Sequence, residues 1–303
     1  MAVITAAGLS KTFGSRRAVD ALRFEVGKGE VFGFLGPNGA GKSTTIRLLM
    51  GLCRPTAGAV AVLGLDPVRD GAAVRRQVGY LPGELALHPR LTGGQHVRYV
   101  ARARGLTGLG FADTLADRFG AVLDRPVRTL SKGNRQKIGI ILAVLARPEV
   151  LILDEPTSGL DPLMQTEFER LVRELADDGR TVFLSSHELD QVQRMADRVA
   201  IIRDGQLVVT DTVAGLRQSA PRTIEFAFTG PADPGWFSAI DGVRVTGSGL
   251  RQLTLAVNGP VAPVLRAAAA HDPVDITARP ADLDELFLAY YRHDPAKEPA
   301  DAR

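Results

Sequence analysis

Apolar residues fall along this chain in two rhythms. Short apolar or alternating runs occupy residues 21–26, 30–35, 58–64, 77–82, 150–153 and 181–184. Runs of that length read as strands buried in a sheet. Residues 41–52, and the stretch from about 92 to 147, instead carry apolar residues at the three- and four-residue spacing of helices. Residues 2–35 read as short strands and turns. Strands that alternate with helices predict a parallel α/β sheet, and the helical stretch at about 85–147 reads as a subdomain inserted into it.

The rhythm changes near residues 215–222, around Arg217-Gln218-Ser219-Ala220-Pro221. Beyond that point residues 222–228 and 253–257 alternate like strands, 261–270 form an alanine-rich helical run, and 274–278 read as a short strand. Leu283, Leu286, Phe287 and Tyr290 then lie on one apolar helix face. This pattern predicts a main domain over 1–217 and a small α+β domain over 222–292. The polar tail 293–303 is expected to be disordered. No internal repeat is visible.

Between the run 30–35 and the helix after it stands Gly36-Pro37-Asn38-Gly39-Ala40-Gly41-Lys42-Ser43-Thr44. Glycine, four residues, Gly-Lys and Ser or Thr, on a strand-to-helix turn, make the phosphate-loop pattern. Gly36, Gly39 and Gly41 let the backbone curl so that several N–H groups point at one anion, and the following helix adds its positive end. Lys42 supplies a charge for the β/γ-phosphates. Ser43 offers a hydroxyl to Mg²⁺, and Thr44 can reach an α-phosphate oxygen. At 150–155 an apolar strand ends in Asp154 and Glu155. Beside a phosphate loop, Asp154 suits the metal, and Glu155 can take a proton from attacking water.

Composition narrows the setting. The 303 residues are 45% hydrophobic, enough for a real core, and 37 basic residues nearly balance 34 acidic ones. That balance gives no case for nucleic-acid binding. The single cysteine, Cys53, excludes an internal disulfide and suits a reducing compartment. The first ten residues lack a basic start followed by a long apolar core, so no secretion signal is read there. The longest apolar run, 138–146, is far short of a membrane span. The chain is therefore expected to be soluble and to reach a membrane only by docking.

Leu130-Ser131-Lys132-Gly133-Asn134-Arg135-Gln136 opens a helical run shortly before the two acids. With the phosphate loop, it resembles the signature motif of the nucleotide-binding subunits of ATP-binding cassette (ABC) transporters, whose common form is Leu-Ser-Gly-Gly-Gln. Ser131 and the Gly133 backbone can bind a γ-phosphate at a helix start. Residues 156–162, Pro-Thr-Ser-Gly-Leu-Asp-Pro, resemble that family's D-loop and imply a nucleotide contact for Asp161. His187, in Ser185-Ser186-His187-Glu188, looks like its switch histidine, and Phe13 looks like the ring that stacks on adenine. One departure stands out: the family usually has Gln after Gly79-Tyr80-Leu81-Pro82, where this chain has Gly83 and then Glu84. Gly83 has no side chain to offer a metal, which leaves Glu84 as the substitute candidate. The C-terminal Leu-Asp-Glu-Leu-Phe-Leu at 283–288 resembles drug-export ATPases of the daunorubicin-resistance type.

The resemblance implies a P-loop NTPase of RecA-like type: a parallel sheet core, an antiparallel β subdomain and an inserted helical subdomain. It implies ATP and Mg²⁺, and a head-to-tail pair of copies with each ATP between Lys42 of one and Ser131 of the other. It also implies a separate multi-span membrane permease, with the chain peripheral on the cytoplasmic face of the membrane. The expected task is powering export of a small molecule such as a drug, antibiotic or lipid. An importer ATPase is the alternative. A soluble cassette ATPase acting on DNA or ribosomes is a more distant one, since such proteins usually carry two cassettes or long coiled coils.

Overall fold

Strands without a polar face need cover on both sides, and the central sheet is built from them. In the computed structural model, which describes residues 1–219 and 221–279, every position of β3 (Val31–Leu35), β6 (Val150–Asp154) and β7 (Thr181–Ser186) is buried. These join β5 (Val78–Leu81), β8 (Arg198–Arg203) and β9 (Gln206–Thr212) in a six-stranded sheet of order β5-β6-β7-β3-β8-β9, whose first five strands pair in parallel. A separate antiparallel sheet of order β2-β1-β4 contains β1 (Ala2–Phe13), β2 (Arg16–Gly27) and β4 (Ala57–Val62). Phe24 of β2 packs on Phe32 of β3 and Phe183 of β7, with ring centroids 5.8 and 5.9 Å apart, so the two sheets share one core.

Helix α1 (Lys42–Leu49) follows β3, and α2 (Gly71–Gln77) precedes β5. The inserted helical region comprises α3 (Gly93–Ala103), α4 (Gly110–Phe119) and α5 (Lys132–Val144). The sequence showed one helical rhythm there; Gly105 and Gly120, with φ of 70° and 55°, end α3 and α4 and break it. A capping box between Thr92 and Gln95 starts α3. Arg118 of α4 grips α6 (Pro162–Asp177) through Glu167 and, with two bonds of 2.5 and 2.8 Å, Glu174. After β7 comes α7 (Leu189–Met195).

Several boundaries differ from the sequence reading. The strand expected over 77–82 is shorter, because Gln77 closes α2. The strand expected over 58–64 ends at Val62, where Leu63 and Gly64 turn with positive φ. The hairpin of β8 and β9 was not anticipated, although its Asp204-Gly205 turn, with φ of 49° and 81°, is a strong hairpin signal.

The chain divides into two compact units, Met1–Asp211 and Thr212–Arg303. The second opens with α8 (Val213–Ser219). It then forms a four-stranded antiparallel sheet from β10 (Arg222–Phe228), β11 (Val243–Ser248), β12 (Gln252–Val257) and β13 (Pro273–Arg279), in the order β11-β12-β10-β13. A short turn at Pro234–Phe237 and α9 (Ala262–Ala269) fill the two crossovers, giving the split β-α-β-β-α-β plan. Ile224, Phe226, Phe228, Phe237, Leu253, Leu255 and Val264 make a core of its own. Strand β11 was missed because its apolar residues are few, Val243 and Val245 among Arg244, Thr246 and glycine. The amphipathic run at 283–290 and the tail 293–303 lie outside the described residues. No helix among the described residues is long and apolar enough to cross a membrane.

Candidate active site

The loop 36–41 follows the C-terminal end of the buried central strand β3 and makes close backbone approaches. A Cβ on Gly36 would lie 2.5 Å from the Ile202 carbonyl oxygen, and one on Gly41 would lie 2.6 Å from that of Ala18. Gly41 also has a φ of 115°, so side chains are excluded there twice over. Gly41 caps α1 without any side-chain bond, which leaves the first N–H groups of that helix open toward the loop. Phe13, Arg16, Ala18, Pro37, Asn38, Gly39, Gly41, Lys42, Ser43, Thr44 and Glu155 line a cavity of about 390 Å³ over this cradle. Ala40 is buried beneath the loop.

Lys42 is 6% exposed, a costly place for an ammonium unless its three donors are met. Its Nζ donates to the carbonyls of Gly36 at 2.5 Å and Pro37 at 3.2 Å, and stands 3.2 Å from Glu155 Oε1. That last contact is an ion pair without hydrogen-bond alignment. Glu155 Oε1 is the one buried side-chain nitrogen or oxygen among the described residues that lacks a hydrogen-bond partner. An orphaned acceptor on a cavity wall is a place for a donor from outside the chain.

The other carboxylate oxygen of Glu155 faces His187, with Nδ1 to Oε2 at 2.8 Å. A carboxylate only accepts, so Nδ1 carries the proton. His187 is otherwise exposed, with Nε2 3.7 Å from Glu188 Oε1. The backbone of Glu155 has the unusual φ of 49° for a residue with a side chain. Its N–H is held by the hydroxyl of Ser185 at 3.1 Å, and that hydroxyl donates to Asp154 Oδ1 at 2.5 Å. One serine on the neighbouring strand therefore positions both acids. Asp154 is buried, and its Oδ2 lies where a Cβ on Gly83 would come within 3.0 Å. Burial, and secondarily the Asp154 carboxylate, pushes the Tyr80 hydroxyl pKa up.

Phe13 is half-exposed at the rim of the cavity, with Lys11 Nζ 4.9 Å from its ring centroid. Ser131, Gly133 and Asp161 are not among the cavity lining. Ser131 caps α5 and accepts from the Asn134 N–H at 3.1 Å, and Asp161 caps α6 by accepting from the Met164 N–H at 3.0 Å. Both side chains are exposed. A Cβ on Gly133 would lie 2.6 Å from the Gly159 carbonyl oxygen, so the start of α5 sits hard against the loop after Glu155. Glu84 follows Gly83 in the chain and is exposed, and among the described residues its side chain makes no hydrogen bond or ion pair. No cluster of three or more His, Cys, Asp or Glu suited to a metal exists among the described residues. One buried carboxylate beside a serine hydroxyl suits Mg²⁺ held mainly by phosphates and water.

Sequence reasoning missed Arg16 and Ala18 in the cavity wall, Ser185 beneath the acids, and Gln136. Gln136 is a buried polar residue of α5 that donates from Nε2 to the carbonyls of Pro156 at 2.8 Å and Glu155 at 3.3 Å. Its signal was a polar side chain inside an otherwise apolar helix face.

Known proteins resemble this chain in sequence and in fold. The family described as "ABC transporter" matches residues 19–158. The daunorubicin/doxorubicin resistance ATP-binding protein of Streptomyces peucetius is 38% identical over 221 residues, 71% of this chain and 67% of that protein. The bacitracin transport ATP-binding protein of Bacillus licheniformis is 35% identical over 227 residues, 74% of each. Among solved structures, an ATP-binding subunit of an ABC transporter superposes with a TM-score of 0.67 at 31% identity, covering 71% of this chain and 92% of the other. A dimeric ATP-binding cassette bound to ADP and Pi gives a TM-score of 0.64 at 21% identity over 69% of this chain and 98% of its own, a likeness of fold.

Proposed function

The chain belongs to the ATP-binding subunits of ABC transporters, which are ATP hydrolases, and from that premise we propose that it powers export of a small molecule through a separate membrane permease. The resistance and bacitracin-transport relatives support the export direction and a drug-like or antibiotic cargo. The reading places the chain on the cytoplasmic face of the membrane, held there by its permease.

The observation that carries the site is the opposition of Lys42 and Glu155 across the glycine cradle, with Glu155 Oε1 buried and unmet. Lys42 exchanges the carbonyls of Gly36 and Pro37 for the β- and γ-phosphate oxygens of ATP, which offer stronger, charge-assisted bonds. The loop N–H groups and the start of α1 hold the remaining phosphate charge. Ser43 and Asp154 would hold Mg²⁺, and the ion, when bound, neutralises charge that develops on the phosphates. Lys42 leaving Glu155 frees a carboxylate to accept a proton from water, as a general base does. His187 keeps that carboxylate aimed and can meet the γ-phosphate with its other nitrogen. Phe13 offers its exposed face to adenine.

Ser131, Gly133 and Asp161 face outward from the chain's own cavity, which supports a role toward the nucleotide of a second copy. The dimeric cassette bound to ADP and Pi supports the same arrangement by analogy of fold. Glu84 is exposed, and no contact of its side chain supports it as a metal ligand.

The test is Glu155→Gln. It is expected to bind ATP, to accumulate as an ATP-dependent dimer by light scattering, and to lose turnover by about a hundredfold or more. Turnover at the wild-type rate would overturn the base assignment. Export is tested by drug tolerance of cells carrying the chain with its permease, which should fall when Lys42 is replaced.

A further inference from the structure

Gln136 stands out among the buried polar side chains because it reaches the backbone of the catalytic segment from another helix. Its amide meets two carbonyl oxygens, of Pro156 at 2.8 Å and Glu155 at 3.3 Å. Both are acceptors only, so the nitrogen must face them. Glu155 needs such a hold. A φ of 49° is strained for a residue with a side chain and persists only when its surroundings fix it. Ser185 pins the N–H of Glu155 on one side. Gln136 pins its carbonyl on the other. The same turn of α5 is locked to the following loop twice more: Lys132 Nζ donates to Ser158 Oγ at 2.9 Å, and Gly133 fits against the Gly159 carbonyl as only glycine can.

We infer that Gln136 is a positioning residue for the hydrolysis: it makes the first turn of α5 and the backbone of Glu155 one body, and so sets where the Glu155 carboxylate points. The inference rests on the reading of Glu155 as the base. It adds a physical link between the outward-facing Ser131 end of α5 and the chain's own base, carried by one side-chain amide across two backbone carbonyls.

Gln136→Met preserves length and removes the donor. In the full-length chain it lowers kcat for ATP by about tenfold or more, a part of what a general base supplies. KM and the affinity for a non-hydrolysable ATP analogue stay near wild type, while the unfolding temperature falls by a few degrees because two carbonyls lose their donor. A Gln136→Met kcat within about twofold of wild type would overturn the inference. Gln136→Glu, buried against two carbonyls, retains a proton and one donor. It restores part of the rate, and the restored part fades as pH is raised; equal slowness of the two variants at every pH would also overturn it. The Glu variant further keeps the test open if the Met variant does not fold. In the Glu155→Gln background, Gln136→Met causes little further loss, because its effect runs through Glu155. A further loss as large as in the wild type would mean that it acts elsewhere. Inactive Glu155→Gln with a fully active Gln136→Met removes only this inference, whereas active Glu155→Gln removes the base assignment itself.

Discussion

Helices α1 and α5 both open beside glycines, yet their starts are finished in opposite ways. The start of α1 is capped by Gly41 with no side-chain bond, has Gly41 and Lys42 buried, and opens under a cavity of about 390 Å³. The start of α5 is capped by the Ser131 side chain, is exposed, and has no share in that cavity. The first leaves its N–H groups free and surrounds them; the second uses one on its own hydroxyl and presents the rest outward. A single chain thus holds one enclosed anion site and one open helix end, the shape expected if each completes the other in a second copy.

The largest effect that would sharpen this contrast is expected at Lys42. Lys42→Ala removes a buried cation from the enclosed site, and binding of a fluorescent ATP analogue should weaken about 10- to 100-fold, with turnover falling further. Tight binding by that variant would mean that the cavity over α1 is not the nucleotide site. Ser131→Arg addresses the open end. It should leave analogue binding by one chain within about twofold while abolishing ATP-driven dimerisation, since Ser131 is exposed and is not part of the cavity lining. Weakened binding by the isolated chain would instead erase the distinction between the ends.

Glycine substitutions separate the two ends by stability. Gly41→Ala and Gly133→Ala each drive a methyl to 2.6 Å from a carbonyl oxygen. Only Gly41 also has a φ of 115°, so it should cost about 1–3 kcal/mol more in chemical denaturation. Equal losses would show that the loop relaxes freely.

The smallest effect is expected at Arg118, which ties the helical region to α6. Arg118→Ala should cost about 1 kcal/mol, as partly exposed pairs do. The Arg118 hydrogen bond holds the Glu167 carboxyl pKa below its usual value. The pair therefore contributes fully above the usual carboxylate range, and its contribution disappears as pH falls through the lowered value. The difference in stability between wild type and variant should shrink on acidification; a constant difference would mean packing, not charge.

Sequence legibility followed the same division. The loop at 36–44 is nine consecutive residues, so its chemistry was readable without the fold. Lys42, Asp154, Glu155 and His187 could be picked out as candidates one motif at a time, but the opposition of Lys42 and Glu155 at 3.2 Å could not, because it depends on β3, β6 and β7 lying side by side. Gln136 stood in the signature-like motif as a polar residue on an apolar helix face, but its role was not legible, since its partners are backbone carbonyls that no side-chain pattern announces. The alternating sheets and inserted helices were readable from periodicity. Strand β11 was not, because a polar strand on a small domain has little periodic signal.

The left-handed backbone at Glu155 sets chemistry and conformation at odds. Glycine, asparagine and aspartate occupy that region most easily. None of them is a carboxylate of glutamate's reach. In a lineage where hydrolysis no longer mattered, substitution by one of these would relieve the strain at once, and the drift would be toward a more stable, silent cassette. A glutamate at such a position is therefore held against its own conformational preference, the trade expected where reach matters more than stability.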